Sequence, residues 1–498
     1  MAQSMAPPAV AARQAGAGDV WAQLRTRVEE RLRQFEAGPP TPAAVYALEQ
    51  ALRAALDAAG CALLEEAFHR REPAARDQAA PKVRYHKQTY RLNKRTPAAV
   101  ATSFGPITLW SWLYLCTEDG EPGLHPLHVC LGIAAGAATP LLAERVARAA
   151  VEHTQAEVRA WLQREHGLSW SNDRLRATLR DFRQRLGPFV PALQQARVVH
   201  WLAQAEQSRG RHRPVLAVGR DGIMVPMRHG SYAEASTATV SVYDRQRRRL
   251  GTVYLGQMPE AKQATLSQAL TALVQGALRT YAGPVPRLAY VTDKGSAPED
   301  YYRRVLRKMK HPRDGKPLAW EWVLDFYHVC GYLGQMAEAL FGAATAPWFA
   351  KVRRWLRERR QGAAQVARSA MQLLDRRKMT RAHRAAFWKA YRYLRRHRRW
   401  MDYEGYRRRG LPIGSGVTEA ACKTVFTQRF KRSGMRWGRA SGQVLLDLRV
   451  VYLSGLWEEA FARDLAARAL PQPTAAPAAT VRRGSRQARR TATPGFAA

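Results

Sequence analysis

From Pro214 onward the chain is written in short β-branched runs instead of helical stripes, and no other feature limits its fold as much. "PVLAVGRDGIMV" is a nearly continuous apolar run that reads as a buried strand. "TATVSVYD" (237–244) and "RLGTVYL" (249–255) follow as strands, joined by the basic turn "RQRR". A helix is predicted over roughly 261–280, then a strand "RLAYVTD" (287–293), a helix from near Pro298, and a last strand "AWEWVLD" (319–325). Three early strands followed by strands that alternate with helices require a mixed α/β sheet with layers on both faces.

The flanks obey other rules. Residues 1–19 are rich in Ala, Pro and Gly and predict disorder, and 20–80 carries two helices with Leu and Ala at three-to-four spacing. "KVRYHKQTYRLNKRTP" (82–97) contains no acid and leads into "AVATSFGPITLWSWLYLC", a β-hairpin broken at Phe104-Gly105-Pro106. Further on, Thr154 and Glu157 make a T-x-x-E capping box, and Gly167 stops that helix. Ser171 or Asn172 caps a second helix with Leu175, Leu179 and Phe182 on one face and Arg174, Arg176, Arg180, Arg183 and Arg185 on the other. Helix, glycine turn and basic helix outline a helix-turn-helix, so 81–200 is read as a DNA-binding region with Arg174, Arg176 and Arg180 at the DNA. The alternative is an ordinary helical hairpin with a solvated arginine face.

Charge restricts the partner. The 80 Lys+Arg against 40 Asp+Glu give a formal net charge of +40, an excess that calls for a polyanion, nucleic acid first. No run of about 18 apolar residues suggests a membrane span, and the N-terminus has no apolar core of a signal peptide. Five scattered cysteines predict a reducing cytoplasm without disulfides. The charge peaks over 351–410, where 21 Lys+Arg face 4 Asp+Glu, a net of 21 − 4 = +17. Arg353, Arg354 and Arg357 in this basic helical stretch (336–410) are predicted to hold phosphates. The tail 470–498 is low in complexity and basic, which predicts disorder.

The chemistry rests on carboxylates. Asp221 and Asp293 fall where predicted strands end, and strand ends are where ligands bind in such sheets. Taken singly, each is an ordinary turn aspartate. Glu419 follows the Gly414-Ser415-Gly416 turn and opens a helix, where the helix dipole alone already favours it. Brought together, three carboxylates repel one another, and a divalent cation with hard oxygen ligands, Mg²⁺ or Mn²⁺, removes that penalty. Asp325 and His328 are one helical turn apart, so they could orient each other or meet a phosphate; a helix start with a half-buried histidine is the plainer reading. "KRSGMRW" (431–437) adds Lys431, Arg432 and Arg436 as phosphate contacts and Trp437 as a stacking or a packing residue. Cys116, His125, His128 and Cys130 do not follow a zinc spacing, and no G-x-x-x-x-G-K-[ST] loop indicates a nucleotide cofactor.

The motifs "GRDGIMVP", "YVTDKG", "DFYHVC", "PIGSGVTEAACK" and "RSGMRW", in that order over about 80–460, resemble bacterial insertion-sequence DDE transposases of the ISKra group. That resemblance implies an RNase H-like core in two parts (211–335 and 411–460) split by an all-α insertion. It implies that Asp221, Asp293 and Glu419 hold the catalytic metals, that His328 touches the scissile or an adjacent phosphate with Asp325 in support, and that the chain acts as an oligomer on DNA. The reaction implied is hydrolysis at the terminal inverted repeats, followed by attack of the freed 3′-hydroxyls on target DNA. Two alternatives remain at this point: an inactive relative kept as a DNA-binding repressor, and an RNase H-like nuclease without strand transfer.

Overall fold

The computed structural model describes residues 17–118, 122–135, 137–293, 295–342, 345–376 and 379–474. The predicted disorder falls largely outside these residues, at 1–16 and 475–498. The chain is mixed α/β with two sheets, and it divides into two compact units. Among the described residues, no helix is long and apolar enough to cross a membrane.

Among the described residues, the first unit joins 17–118, 122–133 and 137–140 to the segment 468–474. It holds α1 (Ala17–Glu36), α2 (Pro42–His69), α3 (Pro126–Cys130) and a sheet ordered β3-β2-β1-β9. The hairpin is longer than its apolar pattern suggests. The basic stretch itself forms β1 (Lys82–Tyr85) and most of β2 (Gln88–Thr102), with β3 (Gly105–Cys116) closing it. His86 and Lys87 turn β1 into β2 with φ of 47° and 70°, the left-handed pair of a two-residue hairpin. No Asn-Gly or Asp-Gly marks that turn, so the sequence hides it. The start of the tail is ordered as β9 (Gln472–Pro473), which pairs with Val83 and Arg84.

The second unit runs from Leu141 to Ala467, with 134–136. Its sheet has the order β6-β5-β4-β7-β8, built from β4 (Val215–Pro226), β5 (Tyr232–Tyr243), β6 (Arg249–Gln257), β7 (Arg287–Thr292) and β8 (Trp320–Leu324). β4–β5 and β5–β6 are antiparallel; β4–β7 and β7–β8 are parallel. Alternate residues point to opposite faces. Leu216, Val218, Leu288, Tyr290 and Trp322 are buried on one face with α7 (Val190–Gln207) and α8 (Ala264–Thr280), while Tyr301 of α9 (Ser296–Arg304) joins the same core.

Val215, Ala217, Ala289, Val291 and Val323 occupy the other face. They share one core with α10 (Phe326–Phe341), α11 (Ala346–Glu358), α12 (Gly362–Leu374), α13 (Arg381–His397) and α14 (Tyr403–Arg408). The all-α segment expected as an insertion is therefore a layer of the fold: Tyr403 and Tyr406 donate their hydroxyls to the carbonyls of Leu324 and Trp322 at 2.9 and 3.1 Å.

The predicted capping signals are in place. Thr154 and Glu157 bond each other's backbone N–H at the start of α5 (Gln155–His166), and Gly167 ends that helix at φ 62°. Ser171 caps α6 (Asn172–Leu186) by accepting from Arg174 N at 3.1 Å. These helices and α4 (Pro140–Glu152) belong with the second sheet, not with the hairpin, so the boundary falls near residue 140 instead of 200. C-terminal to the sheet lie α15 (Gly416–Ala421), a π-helical turn over 422–427, α16 (Gln428–Phe430), α17 (Arg439–Leu453) and α18 (Trp457–Ala466). The buried Arg429 and Arg449 donate to the carbonyls of Ala150 and Val151, which ties α4 to these helices.

A candidate carboxylate centre at the end of the second sheet

β4 does not stop at Asp221. It continues to Pro226 as the long arm of an antiparallel pair with β5. What ends there is the parallel partner: Gly219 pairs with Val291, and β7 finishes at Thr292. Two residues further, Asp221 and Asp293 stand level, on the side of the sheet that Ala217 and Val291 occupy. The next strand adds a third aspartate, because Thr292 pairs with Leu324 and Asp325 follows, its N–H bonded to Thr292 O at 2.8 Å.

Glu419 arrives from 419 − 221 = 198 residues beyond Asp221 and 419 − 293 = 126 beyond Asp293 by a close approach of α15 to β4, which a missing side chain allows. A Cβ on Gly219 would collide with the hydroxyl of Thr418, the residue before Glu419, and would stand 3.0 Å from Thr418 Cβ. Thr418 Oγ1 is itself bonded to Thr239 Oγ1 of β5 at 2.8 Å. The Glu419 carboxylate is exposed and accepts from Ser415 Oγ at 2.8 Å. Cys422, one turn further along, donates its thiol to Asp221 Oδ2 at 3.2 Å. Sequence reading missed Cys422; its signal is the three-residue spacing from Glu419, which puts both on one helical face.

The electrostatics follow from this convergence. Burial raises the Asp221 pKa, the Cys422 hydrogen bond opposes the shift, and the charges of Asp293 and Glu419 add to it. The Cys422 thiol is pushed far up, first by burial and then by the Asp221 carboxylate. Asp221, Asp293 and Glu419 are thus close enough to feel one another's charge, a donor set suited to a hard cation. Among the described residues no group of three or more His, Cys, Asp or Glu closes to the separation of ligands on a single ion. Mg²⁺ needs only one or two protein carboxylates beside water and substrate oxygens, so the donor set fits without such a group.

The pairing of Asp325 with His328 is corrected. Asp325 is fully buried and uses its carboxylate on backbone donors: His328 N at 2.5 Å and Ser415 N. It caps α10 and pins the returning 414–416 turn, while Ile413 O accepts from Phe326 N at 2.9 Å. Gly414 passes under the Tyr327 ring, where a Cβ would stand 2.9 Å from it. The exposed His328 ring instead lies among aromatics, 5.5 Å from Tyr332 and 6.1 Å from Tyr393 between ring centres.

The basic residues divide. Arg174 lies over the Trp170 ring at 4.8 Å, Arg176 pairs with Asp173 at 3.2 Å, and Arg180 is exposed. Arg183 and Arg185 are held by Asp447 and Asp464, at 2.7 and 3.0 Å. The arginine face of α6 is thus partly spent on α17 and α18. Arg353 and Arg354 are exposed on α11, and Arg357 pairs with Glu358 at 2.6 Å. Lys431 and Arg436 are exposed, whereas Arg432 grips Glu157 with both arms at 2.8 and 2.9 Å. Trp437 packs: its indole N–H bonds Phe430 O at 2.8 Å, its ring lies 4.6 Å from Phe430, and its backbone pairs with Pro226 at the end of β4 and with Arg228 just beyond it. In the first unit, Ser111 Oγ joins His125 and His128 at 2.8 and 3.1 Å, and burial lowers His128 to about 4.

Neither a family model nor a curated protein matches this chain.

Proposed function

We propose that the chain is a DDE-type DNA transposase with an RNase H-like core, as its motifs suggest. The observation that carries this reading is the convergence of Asp221 and Asp293, level on the parallel strands β4 and β7, with Glu419 brought against them by the Gly219–Thr418 approach. An antiparallel three-strand meander followed by two parallel strands, β6-β5-β4-β7-β8, supports the fold assignment.

Asp221, Asp293 and Glu419 would hold Mg²⁺ or Mn²⁺. When bound, such ions supply activation of an attacking oxygen and stabilisation of the leaving oxygen in displacement at phosphorus. The protein's own groups do the positioning. Cys422 fixes one oxygen of Asp221, Ser415 fixes one of Glu419, and Asp325 locks the turn that carries Ser415. Being exposed and close to Asp325 in sequence, His328 is the group available to a phosphate. Arg353 and Arg354 face solvent, and Arg381, Arg384 and Arg392 line a shallow hollow on α13 beside Trp388, surfaces fit for a DNA backbone. Terminal inverted repeats and target DNA would be the partners, bound by an oligomer.

A supercoiled plasmid carrying candidate terminal repeats tests this. The wild type with Mg²⁺ should nick at the repeats and join the ends to target; Asp221→Asn, Asp293→Asn and Glu419→Gln should each bind without cutting. Cutting without joining would leave a nuclease, and binding without cutting by the wild type would leave a repressor.

A further inference from the structure

A cleft of 810 Å³ lies between the N-terminal ends of α5 and α6 and the 433–441 segment. Arg159, Arg176, Arg180, Arg228, Arg429 and Arg436 line it, against a single acid, Asp173. Arg180, Arg228 and Arg436 are exposed, and their side chains bond to nothing among the described residues. Arg429 is buried at the base, with Nε on Ala150 O at 3.0 Å. Burial pushes its guanidinium down to about 10, and Arg449 and Arg432 push the same way. Glu157 acts on Arg429 in the opposite sense and Asp173 pairs with Arg176, which leaves the exposed Arg180, Arg228 and Arg436 as the cations available to an anion. The remaining lining is apolar, with Leu179, Met435 and Trp437 among it. An occupant must therefore be anionic and carry a flat or apolar part, as an unpaired nucleotide does.

Size decides between nucleic-acid forms. A cleft in the range of about 300–1,000 Å³ holds a small ligand. A helix that reads duplex DNA must instead project into a groove about 12 Å wide. Here α6 is one wall of a concavity, with Arg183 and Arg185 tied down behind it. The opposite wall is linked to the carboxylate centre: Trp437 N bonds Pro226 O at 3.0 Å, at the end of the strand that carries Asp221.

We propose that this cleft takes an unpaired stretch of DNA, one or two nucleotides long, next to the duplex being processed. The choice of DNA rests on the function proposed above; the single-strand preference rests on the cleft alone.

The full chain is tested in EDTA, so no cleavage is needed. Labelled probes are a deoxythymidine strand of about 20 nucleotides, an abasic strand of equal length and a blunt duplex. The thymidine strand should bind about tenfold or more tighter than the abasic strand, since bases stack and bare backbone does not. Arg180→Ala with Arg436→Ala should weaken strand binding about tenfold and flatten its salt dependence by about 0.7 per lost phosphate contact. Ala440→Trp, at an exposed lining position, fills the cleft without altering charge and should weaken the strand while sparing the duplex. Equal binding of thymidine and abasic strands, or no effect of Ala440→Trp, would overturn the proposal. So would displacement of the strand by ATP alone, which would make the cleft a free-nucleotide site, or a preference for an RNA strand of the same length. Strand preference in a chain that never cuts plasmid would remove the transposase reading and leave this one standing.

Discussion

Replacing Gly219 with alanine should disturb the centre without touching a carboxylate. The added Cβ would overlap Thr418 Oγ1, stand 2.9 Å from Thr239 Oγ1 and 3.0 Å from Thr418 Cβ, where ordinary contact begins at 3.4 Å. Rotating the Thr418 hydroxyl away breaks its 2.8 Å bond to Thr239 and leaves two buried hydroxyls short of a partner, a loss of about 1–3 kcal/mol. Rotation does not move Thr418 Cβ, so α15 must also retreat by at least 3.4 − 3.0 = 0.4 Å. Overpacking of this kind adds about 1–3 kcal/mol. Together the variant should lose about 2–6 kcal/mol, with Tm falling about 1–2 °C for each kcal/mol in a unit of this size. Since a displacement of about 1 Å can cost 10²-fold in rate, a shift near half that size should lower cleavage about tenfold. Thermal melts with and without Mn²⁺, alongside plasmid cleavage, measure both effects. Gly219→Ala with Thr418→Gly removes the clash and should recover the overpacking part of the loss and most of the cleavage rate, but not the hydrogen bond to Thr239, less about 1 kcal/mol for a helical glycine. A single variant with wild-type Tm and an unchanged Mn²⁺ response would refute the view that this contact sets Glu419.

The raised pKa of Asp221 makes it a destabilising charge above the usual carboxylate range: its contribution is favourable at low pH and is lost as pH rises through the folded value. Asp221→Asn should therefore raise Tm at about pH 7, with the gain vanishing as pH falls below about 4, whereas equal Tm values at all pH would discount the burial and charge argument. The elevated Cys422 thiol should alkylate far more slowly than the exposed Cys130, and Asp221→Asn should speed it; peptide mass spectrometry after iodoacetamide reads both rates. Asp325→Ala orphans the N–H groups of His328 and Ser415 and should cost about 2–6 kcal/mol in denaturant melts, with Asp325→Asn losing about half. A mild Asp325→Ala phenotype in stability with a lost cleavage rate would instead return Asp325 to a role at the phosphate.

The local rules held where the determinants are neighbours in sequence. The Thr154–Glu157 box, the Ser171 cap and the left-handed Gly167 need only a few residues and a backbone, so they were legible. The strands were legible because apolar β-branched runs bury on both faces, and the parallel crossovers brought Asp293 to the end of β7 as read. Other features were decided by partners far along the chain. Whether an arginine on α6 meets solvent or an acid depended on Asp447 and Asp464, more than 250 residues away. That Asp221 lies within a strand reflects the length of β5, not any residue beside it. The basic helices became a layer of the fold through Tyr403 and Tyr406, which reach β8 across some 80 residues. The clearest case is the centre itself. Glycine 219 and threonine 418 are each unremarked in the sequence; only when a helix packs on a strand does one missing Cβ decide where a carboxylate stands, because interiors are close-packed and sub-ångström contacts are felt.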